Sequence, residues 1–447
     1  MSSIDYFRSV NPDSGYYTRL STELSKLNEE LGAFNNLSTP SSGYPLSVKD
    51  NICVKNVEST ASSKILKGYI PSFHASSVER LLKNGFGFIG KTNMDEFGFG
   101  TFGINSERPA ANPFDTERVP GGSSSGAAIA ASVLKYHVAL AESTGGSIAA
   151  PASFCGVVGF TPTYGIVSRY GLIDYANSLD KIGLVSRSAG EVRQAFDLIR
   201  GMDDYDATCI GVKDTTVDTK NLFVIKNLVE HADEAVKESF QKTIDTLSDS
   251  GFIIEEVAVG DIDNSIPVYY IIAMAEASTN LAKYMGFKYG AINDNFSKEY
   301  NEFFTEARSA FGDEAKRRVI LGTYVRSASV RERYYYKALQ IRRLLSERLM
   351  KYLDKGFLLL PTMPILPPKK VAVDKLNPLQ NYMLDLFTIP ANLTGMPHVS
   401  FPTDYINGLP VGTQIIGAPF TEHSLLAFVD EWERNFEYKF KYNLGSL

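Results

Sequence analysis

A chain of 447 residues, 44% apolar and 21% charged, has an ordinary globular composition and room for one large domain or roughly two to three average ones. Its net charge of −6 offers no basic footprint for nucleic acid, so any RNA involved would be held by another chain. Its cysteines, Cys53, Cys155 and Cys209, have neither paired nor metal-ligand spacing, which excludes a disulfide framework and fits a reducing compartment.

Tyr17, Leu20, Leu24, Leu27 and Leu31 recur every three or four residues and predict a helix over about 14–32. Arg8 and Arg19 are balanced by Asp5 and Asp13, so no mitochondrial presequence is evident, and nothing resembles a secretory signal. No apolar window approaches the ~18 residues of a membrane-spanning helix. A polar linker, Asn35 to Gly43, precedes Tyr44 to Val54, which reads as a buried strand with Lys49 in its middle. Ser76 to Lys83 predicts a short helix, Phe86 to Ile89 a strand, and Asn93 to Phe99 a helix with an acidic first turn. Further on, Tyr164 to Ile173 predicts strands and turns, and Ala189 to Ile199 a helix. A strand at Asn221 to Lys226, a helix at Asp233 to Ser250 and a strand at Gly251 to Val257 then alternate. That order points to a mostly parallel sheet covered on both sides. Val268 to Met285 and Phe303 to Tyr352 are mainly helical, the latter rich in arginine and tyrosine and read as a lid or subdomain. Gly356 to Leu360 is a buried strand, and His398 to Phe401 and Val411 to Gly417 flank the hairpin signal Asn407-Gly408.

The chain is organised around Pro120 to Pro151. This run holds two Gly-Gly-Ser turns, Gly121-Gly122-Ser123 and Gly145-Gly146-Ser147, their serines 24 residues apart, with the small apolar segment Ala127 to Val133 between them. No residue from Ser143 through Ser168 is charged, so burial is expected. An unpaired buried hydroxyl costs about 1–3 kcal/mol, so serines placed there need a purpose. Glycines let backbone N–H groups converge on a ligand oxygen, and serine supplies a nucleophile; together they point to catalysis.

Two motif matches fail on context. Gly85 to Gly90 fits G-x-G-x-x-G, but a helix precedes it and the pattern itself reads as the strand, the reverse of a dinucleotide site. Gly122 to Gly126 fits the G-x-S-x-G elbow, yet Asn112 to Val119 is too polar for the buried strand that must come before it. Lys49 has two readings. A lone lysine in an apolar strand can be an edge residue whose ammonium reaches water. A desolvated one loses its charge and can take a proton from a serine, as histidine does in other hydrolases.

Tyr44-Pro45-Leu46-Ser47-Val48-Lys49-Asp50-Asn51, Gly121-Gly122-Ser123-Ser124, and Gly145-Gly146-Ser147-Ile148 followed by Pro151 resemble the three core blocks of the amidase signature family. Gly90 to Phe97 and Val157 to Gly165 agree with it, and the similarity runs from about Tyr44 to about Phe420. The resemblance implies an α/β amidase signature fold, a single domain over 1–447, with a central mixed sheet covered by helices on both faces. A helical insertion on the substrate side is expected at about 262–352. Ser147 is implied as the acyl-forming nucleophile, Ser123 as a bridging serine after a cis peptide at Gly122, and Lys49 as the terminal base. Backbone N–H groups around Thr144, Gly145 and Gly146 would form the oxyanion hole.

Within the family the chain is most similar to the glutamine-hydrolysing members of tRNA-dependent amidotransferases. That resemblance implies glutamine as substrate, held by Tyr269, Arg318 and Asp385: guanidinium on the α-carboxylate, carboxylate on the α-ammonium. It also implies a partner B subunit that binds tRNA, uses ATP and magnesium, and accepts ammonia to convert Glu-tRNA(Gln) to Gln-tRNA(Gln). A small third subunit is a further possible partner, and the chain itself needs no metal or cofactor. Two readings remain beside this one: a free-standing amide hydrolase and a catalytically silent scaffold subunit. Members usually carry Asp-Thr-Gly-Gly-Ser-Ile-Arg at the nucleophile, where this chain has Ser143 and Ala149 in place of the charged pair. The segment before Lys49 is shorter than in bacterial members. This divergence resembles fungal mitochondrial forms and implies the mitochondrial matrix, with the bacterial cytoplasm as alternative.

Overall fold

The computed structural model describes residues 16–40, 42–217, 220–291 and 297–439. Its frame is one sheet of 11 strands. In chain order these are β1 (Phe34–Leu37), β2 (Tyr44–Lys49), β3 (Phe86–Thr92), β4 (Val138–Ser143), β5 (Val158–Thr161) and β6 (Lys181–Ser186). β7 (Asn221–Ile225), β8 (Ile253–Val257), β9 (Phe357–Pro361), β10 (His398–Ile406) and β11 (Leu409–Ile416) complete them. They lie side by side as β1-β3-β2-β4-β6-β5-β10-β11-β9-β7-β8.

Successive strand residues face opposite sides, and both sides are covered. Val138 and Leu140 of β4 pack with Val78, Leu81, Val192 and Phe196 of the helices Ser76–Lys83 and Ala189–Ile199. Ala139 and Ala141 face the other way, onto Ala127, Ala128 and Ala131. Every residue of the helix Ser125–Val133 is buried, and its small side chains let it lie close against the strands. Further along the sheet, Leu222 and Leu359 join Phe240 and Phe428 on the first side, while Phe223 and Leu358 meet Leu345 and Leu349 on the second. The insertion is helical: Ser265–Asn280, Tyr300–Ser309, Asp313–Arg326 and Lys337–Leu353. No described helix is long and apolar enough to cross a membrane.

The expected central mixed sheet is present, but the mostly parallel order read from the strand–helix alternation is not. Among the described residues four strand pairings are parallel and six antiparallel. The antiparallel block includes β4, β5 and β6, strands the periodicity missed. All three are buried throughout, so they lack the apolar–polar alternation that marks a half-exposed strand.

Four local expectations are corrected. The strand from Tyr44 stops at Lys49, and the supposed linker begins with β1. Tyr164 to Ile173 contains no strand, only turns and the bridges Ile52–Leu172 and Val167–Arg200. Asn93 to Phe99 forms one 3-10 turn, Glu96–Gly98, instead of a helix. There the Asp95 carboxylate accepts the N–H groups of Gly103 and Asn105 at 3.0 and 2.7 Å, drawing the backbone out of helical register. The N-terminal helix runs Tyr16–Leu31, the first residues of its predicted span lying outside the described ones.

Candidate active site

Lys49 is the last residue of β2 and is fully enclosed, so its ammonium does not reach water as an edge lysine's would. Its Nζ donates to Ser123 Oγ at 2.8 Å, to the Glu142 main-chain oxygen at 2.9 Å and to Glu142 Oε2 at 2.9 Å. Burial, opposed by the Glu142 carboxylate, holds the amine below the ordinary lysine range. A neutral amine is therefore within reach, as a general base requires.

Ser123 is buried in the first glycine turn, and the Gly122–Ser123 peptide is cis. Ser147 stands in the second, between β4 and the buried helix Ala149–Cys155. The two turns are tied directly: Ser124 N donates to the Ser147 oxygen at 3.1 Å. Ser123 and Ser147 share no hydrogen bond among the described residues, and Ser147 Oγ has no partner there. Ser147 is 7% exposed, whereas Lys49 and Ser123 are at 0%, so the second serine is the one a ligand can touch.

Glycine is required at both positions before Ser147. A Cβ on Gly145 would come within 2.5 Å of the Tyr269 ring, and one on Gly146 within 2.2 Å of Thr388 Oγ1. Gly146 also adopts φ 155°, a conformation side chains avoid. Among the described residues the N–H groups of Gly145, Gly146 and Ser147 donate to no other group, so they remain available to an anionic oxygen. Gly146→Ala is expected to cut turnover by about a hundredfold, the loss typical of a disturbed oxyanion donor, with KM changed less; steady-state kinetics checks it.

The other predicted residues converge beside this turn. Tyr269, on Ser265–Asn280, abuts Gly145 and lies 3.5 Å from the Tyr175 hydroxyl. Arg318, on Asp313–Arg326, also donates to that hydroxyl, and its Nε donates to Glu314 Oε1 at 2.9 Å. Its guanidinium lies over the rings of Phe99 and Tyr270, at 4.8 and 5.4 Å from their centroids. Its Nη2 has no partner among the described residues. Asp385 accepts from Thr101 Oγ1 at 2.9 Å and from the Tyr270 hydroxyl at 2.6 Å. Burial pushes its pKa up to about 6. A cleft of about 350 Å³, lined by Phe99, Thr101, Arg318 and Tyr382 among others, opens beside these groups.

Sequence reasoning missed Glu142, Tyr175 and Asp180. Glu142 carried a usable signal, a lone carboxylate in the apolar run of β4, the same anomaly that drew attention to Lys49 in β2. The family's missing charged pair leaves no polar group stranded. Ser143 Oγ donates to Asn392 Oδ1 at 3.0 Å, and Ala149 is enclosed as an apolar residue.

Known proteins share this frame. A model of the amidase family matches residues 6–426. The A subunit of glutamyl-tRNA(Gln) amidotransferase from Carboxydothermus hydrogenoformans is 40% identical over 453 aligned positions, covering 98% of this chain and 93% of that protein. Its counterpart from Sulfurisphaera tokodaii is 41% identical over 402 positions, covering 88% and 84%. The crystal structure of the corresponding A subunit from Thermotoga maritima superposes with a TM-score of 0.81 at 35% identity, over 95% of this chain and 92% of that one. The matched span takes in the sheet, both glycine–serine turns and the buried lysine, and the chain belongs to the amidase family.

Proposed function

We propose that this chain is the glutamine-hydrolysing A subunit of a glutamyl-tRNA(Gln) amidotransferase. The observation that carries the proposal is a free, ligand-accessible Ser147 hydroxyl, set among unengaged N–H groups and beside a buried Lys49–Ser123 pair. Ser147 Oγ attacks the carboxamide carbon of glutamine, its proton passes to Ser123, and the Ser123 proton passes to Lys49 Nζ. The carbonyl oxygen, now negative, accepts from the N–H groups of the Gly145–Gly146–Ser147 turn. Collapse returns a proton to the departing nitrogen, which leaves as ammonia, and water then hydrolyses the glutamyl ester on Ser147. Arg318 reads the α-carboxylate and Asp385 the α-ammonium, a division supported by their charges and by their bonds to Tyr175 and Tyr270, the two rings that flank Tyr269. The ammonia would pass to a B subunit, which would hold the ATP and magnesium needed to activate the glutamyl group of the tRNA.

Ammonia release measured on the purified chain, with and without a B subunit, tests the reading. Glutamine hydrolysis that rises in the complex supports it; hydrolysis of simple amides but not glutamine overturns it. An electrophilic glutamine analogue is expected to label Ser147, as peptide mass spectrometry would detect.

Arg318→Lys keeps a cation facing Glu314 but loses the planar fork, so KM for glutamine is expected to rise by about tenfold or more with kcat less affected. KM is also expected to rise as pH falls through about 6, where Asp385 takes a proton and no longer attracts the ammonium. Instability is not the cause. A carboxyl whose pKa is raised on folding adds stability at low pH and loses that contribution as pH climbs through about 6. A KM flat between pH 5 and 8 would remove Asp385 from the ammonium site.

A further inference from the structure

Glu142 and Asp180 are buried carboxyls that the serine–lysine relay does not employ. Glu142 meets Lys49 twice, through its main-chain oxygen and through Oε2. Asn51 Nδ2 donates to the same Oε2 at 3.1 Å, which fixes the carboxylate plane. On its other side, Thr144 Oγ1 lies 2.6 Å from Glu142 Oε1 and 2.9 Å from Asp180 Oδ1. A hydroxyl has one hydrogen to give, so Thr144 can donate to only one of the two carboxyls at a time. Burial and the neighbouring Glu142 push the Asp180 pKa well above the usual carboxylate range. Thr144 thus links the two carboxyls, and Asp180 also accepts the N–H groups of Tyr175 and Ala176, both at 2.9 Å. The remaining titratable groups facing the cluster are Asp95, on the Lys49 side, and Asp174, on the Asp180 side.

An amine nitrogen has three positions besides its bond to carbon. Glu142 occupies two of them, and Ser123 Oγ meets the third. Given the serine–lysine glutaminase proposed above, we infer that Glu142 is a positioning residue for Lys49. Its two oxygens take two amine hydrogens, turn the remaining nitrogen position to Ser123, and stabilise the ammonium formed when Lys49 receives the serine proton. In the proton transfer the Ser123 O–H bond breaks and an N–H bond forms on Lys49. The uncharged Lys49 beside the Glu142 carboxylate becomes an ion pair with no net charge, which a buried site favours.

The test is the pH dependence of glutamine hydrolysis by the full chain with its B subunit, for wild type, Glu142→Gln and Glu142→Asp. An inactive wild type would sink the glutaminase reading and leave the positioning role without a reaction; an active wild type isolates the question of Glu142. Glutamine at 142 has nearly the same shape but no charge, so Lys49 becomes easier to deprotonate and a weaker base. The acid limb of kcat is expected to move down by about one to three pH units, while the plateau falls by about tenfold or more. Aspartate keeps the charge at a longer reach, so its limb stays with wild type and only its plateau falls. A purely structural role would lower the plateau without moving the limb. A limb unmoved in Glu142→Gln, or displaced equally in both variants, overturns the inference. Should Glu142→Gln not fold, Glu142→Met, which keeps the bulk and lacks the charge, is read in its place: an acid limb moved down supports the role, and an unmoved limb refutes it.

Discussion

Ser147→Ala is expected to lower glutamine hydrolysis by roughly four to six orders of magnitude, the scale on which nucleophile removal disables a serine hydrolase. The fold should not notice. Ser147 Oγ has no hydrogen-bond partner among the described residues, so the substitution leaves no donor or acceptor stranded. Stability is expected to change by no more than about 0.5 kcal/mol. Ammonia release and thermal melting, measured on one preparation, separate the two effects. Retention of a tenth of the activity would eliminate Ser147 as the acyl carrier.

Lys49→Ala is expected to damage both rate and stability, and this distinguishes it from the serine. Loss of the proposed general base is expected to lower turnover by about a hundredfold to ten-thousandfold. Loss of the ammonium also leaves the enclosed Glu142 carboxylate opposite no cation. Breaking a buried pair from one side costs about 3–5 kcal/mol. The double variant Lys49→Ala/Glu142→Gln removes both members, so it is expected to regain much of the lost stability and none of the activity. Chemical denaturation of the two single variants and the double gives the coupling directly. Additive losses would mean that the pair contributes nothing to the fold.

The same residues show what could be read without coordinates. Lys49, Ser123 and Ser147 were legible because each sits in a local run whose glycines, prolines and apolar neighbours are distinctive. Tyr269, Arg318 and Asp385 emerged only through the family resemblance, and each alone resembles an ordinary helix or core residue. Glu142 pairs with a lysine 93 residues away, and Tyr175 with an arginine 143 residues away. No local spacing records such partners; the sheet creates them. The helices Ser76–Lys83 and Ala189–Ile199 matched their periodicity because each lays one apolar stripe on the strands. β4, β5 and β6 did not, because enclosure on both faces erases alternation. At Asn93 to Phe99 the acidic residues that looked like a helix start are engaged elsewhere: Asp95 by the loop that follows it and Glu96 by Ser63 and Gly312.

Lys49 ends β2 and Ser147 follows β4, adjacent strands third and fourth from the β1 edge of the sheet, whereas Tyr269 and Arg318 ride on helices laid over one side of it. The two sets meet where the Tyr269 ring presses on Gly145. On the roles proposed for them, cleaving machinery and sieve are borne by different layers of the molecule. A lineage can exchange one amide for another by rewriting the overlay while the strands beneath go untouched, and a protein engineer seeking a new substrate should randomise the same helices.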